Sequence, residues 1–391
     1  MRVILIVLDS VGAGEAPDAA DYGDLDAATL PKTARAVGGL NVPTLQELGL
    51  GNITPMLPVG LPITGVAPAE SPTASYGAMQ EASEGKDTIT GHWEIAGLEM
   101  IPGFATFPKG PPSFSPEMIG PFEAETGRTA IGNLAVSGTK IIEELGEQQQ
   151  RDGSLIVYTS GDSVFQIAAH VASVPLEELY EACRIARRLC NSYRVGRVIA
   201  RPFEGEAGAY RRTRDRRDFS CEAAEPTVLE RLSEAGIEVR AVGKIEDIFN
   251  RRGISKSNHT GDNAASQAAV ETYLEEMKTG LIFANFIDFD MLYGHRRDPE
   301  GYARALEQTD RWLTGFLPRI REGDVLMITA DHGNDPTFKG TDHTREYVPL
   351  LVYCPGREAR NLGIRHGFYD IAQTLASLFG IDAMPRGVSF A

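Results

Sequence analysis

Val325-Leu326-Met327-Ile328-Thr329-Ala330-Asp331-His332-Gly333-Asn334-Asp335 joins a short apolar run, rich in β-branched residues, to a polar turn. The run from Val325 to Ala330 predicts a strand buried on both faces. Eleven residues after His332, a second histidine follows in Thr341-Asp342-His343-Thr344-Arg345. Ligands of open α/β sheets bind beyond the carboxyl ends of the strands. An Asp-His pair there, with a glycine-bearing loop bringing back another histidine, supplies the donors of a catalytic metal centre. The plainer alternative is a strand-end aspartate in a turn beside two solvated histidines. That alternative weakens because the same device occurs twice more.

Val3-Ile4-Leu5-Ile6-Val7-Leu8 has the continuous apolar character of a central parallel strand and ends at Asp9-Ser10. Asp9 is either a turn residue or a metal ligand. The following Gly12-Ala13-Gly14-Glu15-Ala16-Pro17 lacks the third glycine and the opening helix of a dinucleotide fingerprint, which excludes a Rossmann site. A third strand, predicted from Leu281 to Ile287, leads into Asp288-Phe289-Asp290 and then Met291-Leu292-Tyr293-Gly294-His295. Three strand ends thus present Asp9, Asp290 with His295, and Asp331 with His332, and His343 follows on a loop. Three carboxylates and three imidazoles, without a thiolate, suit a pair of hard or borderline divalent ions such as manganese or zinc. Two such ions exceed the three carboxylates by one positive charge, which favours an anionic phosphoryl group. Two adjacent metals stabilise both the attacking and the leaving oxygen of an in-line displacement.

Gly85-Lys86-Asp87-Thr88-Ile89-Thr90-Gly91-His92-Trp93-Glu94 has the residue types of a P-loop in the wrong order. It predicts a loop entering a short helix, with the Thr88 hydroxyl at the positive helix end, where phosphate is favoured. A simple N-cap role for Asp87 or Thr88 is the other reading. A hydroxyl bridging two metals has a lowered pKa and is a competent nucleophile.

Strand and helix patterns alternate at both ends of the chain. Short helices are expected over 41–49 and 227–235, a strand over 76–79, and longer helices over 261–277, 300–317 and 369–379. Further strands are expected over 237–242 and 348–353. Prolines at 102, 108, 111, 112, 116 and 121 mark the exit from the first segment through a linker. The middle, with strands near 154–160 and 197–203 and an amphipathic helix over 175–190, carries a dense arginine group. This pattern predicts a mainly parallel α/β core, residues 1–101 and 222–391, interrupted by a smaller inserted α/β cap domain at 102–221.

The 391 residues, 42% hydrophobic and 24% charged, are those of an ordinary globular protein. A net charge of −16 argues against nucleic acid or an anionic membrane as a partner. Four cysteines without paired spacing, no signal-type leader and no long apolar run predict a cytoplasmic protein with reduced thiols. No obligate protein partner is evident from the sequence.

The stretches Ile6–Gly12, Gly85–Glu94, Asp288–Asp298 and Thr329–Asp335 closely resemble the bacterial phosphopentomutase family of the alkaline phosphatase superfamily, and the similarity runs nearly end to end. The resemblance implies an alkaline-phosphatase-like core. It places Asp290, His295 and His343 on one metal and Asp9, Asp331 and His332 on the other, with Thr88 as the phosphorylated nucleophile between them. It further implies two Mn2+ ions, a priming sugar bisphosphate such as glucose 1,6-bisphosphate, and pentose phosphates as the small-molecule partners. Ribose 1-phosphate and ribose 5-phosphate, with their 2-deoxy equivalents, would interconvert through a pentose 1,5-bisphosphate. A cap that excludes water would protect the phosphothreonine from hydrolysis. Asp162, Arg197, Arg201, Arg212 and Lys244 are candidate substrate contacts, each with a solvated-surface alternative. Two other readings are a two-metal phosphatase and an enzyme like cofactor-independent phosphoglycerate mutase, a family that uses serine where Thr88 stands.

Overall fold

The computed structural model describes residues 1–108, 110–160 and 163–391. The described chain divides into two compact units, Met1–Pro102 with Ala223–Ala391, and Gly103–Glu222.

The larger unit opens with β1 (Arg2–Leu8), every residue of which is buried. β2 (Gly14–Glu15) and β3 (Ser75–Gln80) follow before the chain enters the smaller unit. That unit contains β4 (Ala130–Ala135), β5 (Leu155–Thr159), β6 (Val164–His170), β7 (Arg197–Glu204), β8 (Arg211–Arg212) and β9 (Arg217–Ser220). The chain then returns through β10 (Val239–Val242), β11 (Lys256–Asn258), β12 (Gly280–Phe286), β13 (Val325–Thr329), β14 (Glu346–Tyr353) and β15 (Asn361–His366).

The larger sheet has the order β11-β10-β12-β1-β13-β14-β3-β15, with β2 on β14. Strands β11 to β13 are all parallel, β14 is antiparallel to both neighbours, and β15 is parallel to β3. Aliphatic residues fill both faces of the central strands, as a sheet covered by helices on both sides requires. The register decides where the polar turns emerge. Leu8 pairs with Phe286 and Val7 with Thr329, so β12, β1 and β13 finish side by side. At the opposite end the Arg2 guanidinium is tied to the buried Asp324 carboxylate, which also accepts from Arg2 N at 3.1 Å.

The smaller unit has the sheet order β4-β5-β6-β7-β8, with β9 on β7. Helices Pro116–Thr126 and Leu176–Cys190 share one apolar core, including Phe122, Phe165, Leu179 and Cys183. Helix Gly138–Asp152 joins a second core with Ile156, Ala168 and Phe203. The prolines expected to mark only a linker correct that reading, because Pro116 and Pro121 lie in a helix. Pro116 sits in the first turn, where its missing N–H costs nothing. Pro121 removes the donor that would have reached Glu117 O, and the Tyr193 hydroxyl donates to that carbonyl instead, at 3.1 Å. Strands β4 and β6 and the Gly138–Asp152 helix were not expected from sequence.

The other expected elements are present, with ends within a few residues of the expected bounds. No helix among the described residues is long and apolar enough to cross a membrane.

β1 is the spine of the larger unit, and Leu5 at its middle is fully buried. Leu5→Ala should lower stability by about 2–5 kcal/mol. Urea unfolding would show a lower midpoint; an unchanged midpoint would mean that β1 is not in the cooperative core.

Candidate metal centre

Asp9 follows β1, and its N–H donates to Phe286 O at 3.1 Å, extending the ladder by one residue. Ser10 then turns with a left-handed φ of 74° and donates its N–H to Asp331 Oδ1 at 3.1 Å. This turn couples the ends of β1 and β13. Asn285 donates to Asp9 Oδ2 at 3.2 Å, and Lys244 Nζ stands 3.8 Å from the same oxygen. Asp9 Oδ1 and Asp331 Oδ2 are buried and accept no hydrogen bond.

His332 Nδ1 donates to Gly333 O at 3.0 Å, which leaves the Nε2 lone pair free. That Nε2 lies 3.3 Å from Asp331 Oδ2, 3.5 Å from Asp9 Oδ1 and 3.3 Å from Thr88 Oγ1. Gly333 and Thr344 exchange backbone hydrogen bonds at 3.1 and 2.8 Å and close the intervening loop. The closure returns His343 to within 4.1 Å of His332, ring centre to ring centre. A Cβ at Gly333 would meet Glu346 Oε1 at 2.4 Å, so no side chain fits in this clasp.

Asp290 emerges after β12 in the π-helical turn Phe289–Gly294. The wider turn is closed by His295 N donating to Asp290 O at 3.2 Å, and it brings His295 Nε2 to 3.1 Å from Asp290 Oδ2. His343 Nε2 completes the group, 3.4 Å from Asp290 Oδ1 and 3.2 Å from His295 Nε2. His295 Nδ1 donates to Thr341 O at 2.7 Å, again directing Nε2 inward. Asn334 Nδ2 donates to Asp290 Oδ1 at 2.8 Å.

Thr88 begins the Thr88–Ile95 helix, and Asp87 is its N-cap, accepting from Ile89 N at 3.0 Å and Thr90 N at 3.2 Å. The cap role therefore falls to Asp87 and leaves the Thr88 hydroxyl facing His332. Two further contacts seat this helix. A Cβ at Gly91 would lie 2.1 Å from Asp331 O, so glycine permits the close approach. His92 Nδ1 donates to Thr88 O at 2.9 Å and lies 3.1 Å from Asp331 Oδ2.

Electrostatics bear on what the cluster can hold. Burial and the Asp331 charge push Asp9 up to about 7. Burial acts on Asp331 in the same direction, but His332 and His92 overcome it and hold that carboxyl down to about 2. Burial also opposes ionisation of Asp290, which His343 and His295 hold well below the usual range. Burial lowers His332 against the opposing pull of Asp331. Crowded, buried carboxylates with unpartnered oxygens are costly unless cations compensate them. Two donor groups fit divalent ions, Asp9 with Asp331 and His332, and Asp290 with His332 and His343. His332 reaches both groups, while His295 adjoins only the second through Asp290 and His343.

Thr88 and all six expected ligands thus come together. Lys244, which follows β10, joins them at Asp9. Arg197, Arg201 and Arg212 belong to the smaller unit, where β7 and β8 carry them. Arg201 donates to Gln166 Oε1 at 3.0 Å, and burial with the nearby Arg216 and Arg212 lowers it to about 10. Arg212 donates weakly to the Tyr158 hydroxyl at 3.5 Å, and Arg197 lies 3.7 Å from Asp218 Oδ2. Asp162 lies outside the described residues. Asn334, Asn285, Ser10 and His92 were not assigned from sequence. Asn334 and Ser10 adjoin the ligand motifs and His92 lies in the threonine motif, whereas nothing local distinguishes Asn285.

A family model described as the metalloenzyme superfamily matches residues 1–383. Over 390 residues the chain is 54% identical to the phosphopentomutase of Anaeromyxobacter dehalogenans strain 2CP-C, covering all of this chain and 97% of that one. It is 52% identical over 391 residues to the phosphopentomutase of Caldanaerobacter subterraneus subsp. tengcongensis, again covering 100% and 97%. Among solved structures, phosphoglycerate mutase from Leishmania mexicana aligns with a TM-score of 0.51 at 12% identity, covering 99% of this chain and 96% of that one, a likeness of fold alone. The fold and the matched family model define a metalloenzyme with an alkaline-phosphatase-like core. Within that superfamily the chain belongs to the phosphopentomutase family, and it is an isomerase.

Asn334 orients Asp290 from outside the donor cluster. Asn334→Ala should weaken divalent-metal binding by about 10–100-fold, the usual effect of removing such a support. Calorimetric titration of chelator-stripped protein would measure this, and undiminished affinity would mean that Asp290 is held without it.

Proposed function

We propose that this isomerase interconverts α-D-ribose 1-phosphate and D-ribose 5-phosphate, and their 2-deoxy equivalents, with Thr88 as the phosphorylated nucleophile. The observation that carries the reading is the Thr88 hydroxyl, 3.3 Å from His332 Nε2, at the mouth of a buried cluster of carboxylates and imidazoles. Asp9, Asp331 and His332 would hold one divalent ion, and Asp290, His295 and His343 the other. When bound, a pair such as manganese supplies positive charge opposite the attacking and leaving oxygens and lowers the pKa of the Thr88 hydroxyl.

The residues of this chain do the rest. Asp87 caps the helix, so Thr88 is free to carry a phosphoryl group at the positive helix end. The phosphorylated Thr88 donates that group to the free hydroxyl of the pentose phosphate, giving the 1,5-bisphosphate. The other phosphoryl group then returns to Thr88, and the oxygen it leaves regains the proton lost in the first transfer. A trace of sugar bisphosphate, such as glucose 1,6-bisphosphate, restores phosphate to any Thr88 that has been hydrolysed. Lys244, whose Nζ lies 3.8 Å from Asp9 Oδ2, would neutralise a substrate phosphate. Arg197, Arg201 and Arg212, with Arg216, give the smaller unit a positive surface suited to a phosphate. We assign the enzyme to the cytoplasm.

Phosphorus NMR of ribose 1-phosphate with manganese and a trace of glucose 1,6-bisphosphate tests the reaction. Ribose 5-phosphate with little free phosphate is the expected product, and accumulating inorganic phosphate would instead make the enzyme a phosphatase. Thr88→Ala should retain bound metal, measured by elemental analysis, and lose all phosphoryl transfer. Substantial mutase activity in that variant would remove Thr88 from the mechanism.

A further inference from the structure

β13 carries Asp331 beyond one end and borders a cavity of about 280 Å³ at the other. The space is bounded by the sheet, by helix Asp370–Phe379 and by Phe390. Met327 pairs with Val352, and Val352 with Ser75, so β13, β14 and β3 turn one continuous face towards it. Val325, Met327, Val352 and Leu378 make that lining apolar. A water occupies about 30 Å³, so this space is several molecules in size. An apolar recess with a few convergent polar groups is the usual form of a small-molecule site.

The charged side chains lie on the turn after β14, while Thr73, Ser75 and Thr374 add hydroxyls to the other walls. Arg360 is fixed by donating Nη2 to Phe390 O at 3.0 Å. Arg357 is exposed and makes no ion pair among the described residues. Both guanidinium charges act on the Cys354 thiol in the cavity wall, where burial raises its pKa and the arginines oppose the rise. Glu358 shares the rim. One unpaired guanidinium beside a carboxylate favours a ligand with a single negative charge. The apolar lining disfavours a polar sugar carrying a doubly charged phosphate.

We propose that this cavity is a second ligand site, separate from the strand-end cluster, for a small organic anion with an apolar body and one carboxylate- or sulfonate-like group. The body packs on Val325, Val352 and Leu378, and the anionic group accepts from Arg357. The inference does not rest on the assigned reaction.

The test titrates the manganese-loaded full chain with 8-anilinonaphthalene-1-sulfonate, followed by fluorescence, with and without ribose 5-phosphate. One saturable site that ribose 5-phosphate does not displace is expected. Arg357→Gln should weaken it by about ten-fold, the loss of one charge-assisted hydrogen bond, and Leu378→Trp should abolish it by filling the space. Both variants should keep the parent's melting temperature and isomerase activity; if Leu378→Trp fails to fold, the exposed Arg357→Gln decides alone. No saturable binding, displacement by ribose 5-phosphate, or an affinity unchanged in Arg357→Gln would overturn the proposal.

Discussion

Mutual repulsion among Asp9, Asp290 and Asp331 is the constraint on which the larger unit is built. All three carboxylates are buried within a few ångströms of the same imidazoles. Such a cluster would disperse in a flexible chain, because burial and like charge both disfavour ionised carboxylates. It persists because each residue leaves the end of a rigid, centrally placed strand. The matched register of β12, β1 and β13 brings the three exits together, and Ser10 N ties two of them through Asp331 Oδ1. The unpartnered oxygens of Asp9 and Asp331 are a local cost that the hydrophobic strands beneath them offset.

Seen from that constraint, much of the centre was legible. A continuous apolar run ending in Asp is a strong local signal, and Asp9 and Asp331 do follow the ends of β1 and β13. Thr88 was legible through the loop-to-helix pattern around it. The N-cap remained open between Asp87 and Thr88, because both residue types serve as N-caps. Only the fold separates them, by placing His332 opposite one hydroxyl. Asp290 and His295 were legible as residues, but the π-helical turn that joins them was not. Their spacing fits neither the period of a strand nor that of an α-helix, so their convergence depends on a turn type without a sequence signature.

The smaller unit was less legible for a different reason. Proline is the strongest local marker of a break, yet Pro121 lies inside a helix because Tyr193, distant in sequence, supplies the donor that proline lacks. Tertiary context overrode a local rule. β5 and β6 are buried throughout, whereas Arg197 and Arg201 are half-buried on β7 and Arg211 and Arg212 exposed on β8, and no local pattern tells such arginines from surface charge. The lowered pKa of Arg201 shows that at least one of them is partly withdrawn from water and crowded by like charge.

The donor cluster by itself does not choose between transfer to a sugar and transfer to water. A phosphoryl group on Thr88 would be equally electrophilic towards either, because the same carboxylates and imidazoles surround it. The choice must therefore lie in groups that recognise the acceptor. Lys244 is a candidate for such a group in the larger unit, half-exposed with its ammonium 3.8 Å from Asp9 Oδ2. A cation there offsets the Asp9 carboxylate, and as a substrate contact it would also attract the substrate's phosphate. A lysine suits that exchange better than an arginine. Its compact, rotatable ammonium can move from one oxygen to another without losing a fixed bidentate geometry. Selectivity for isomerisation would then follow from how firmly the acceptor sugar is held, while the strand ends would supply the groups that hold metal.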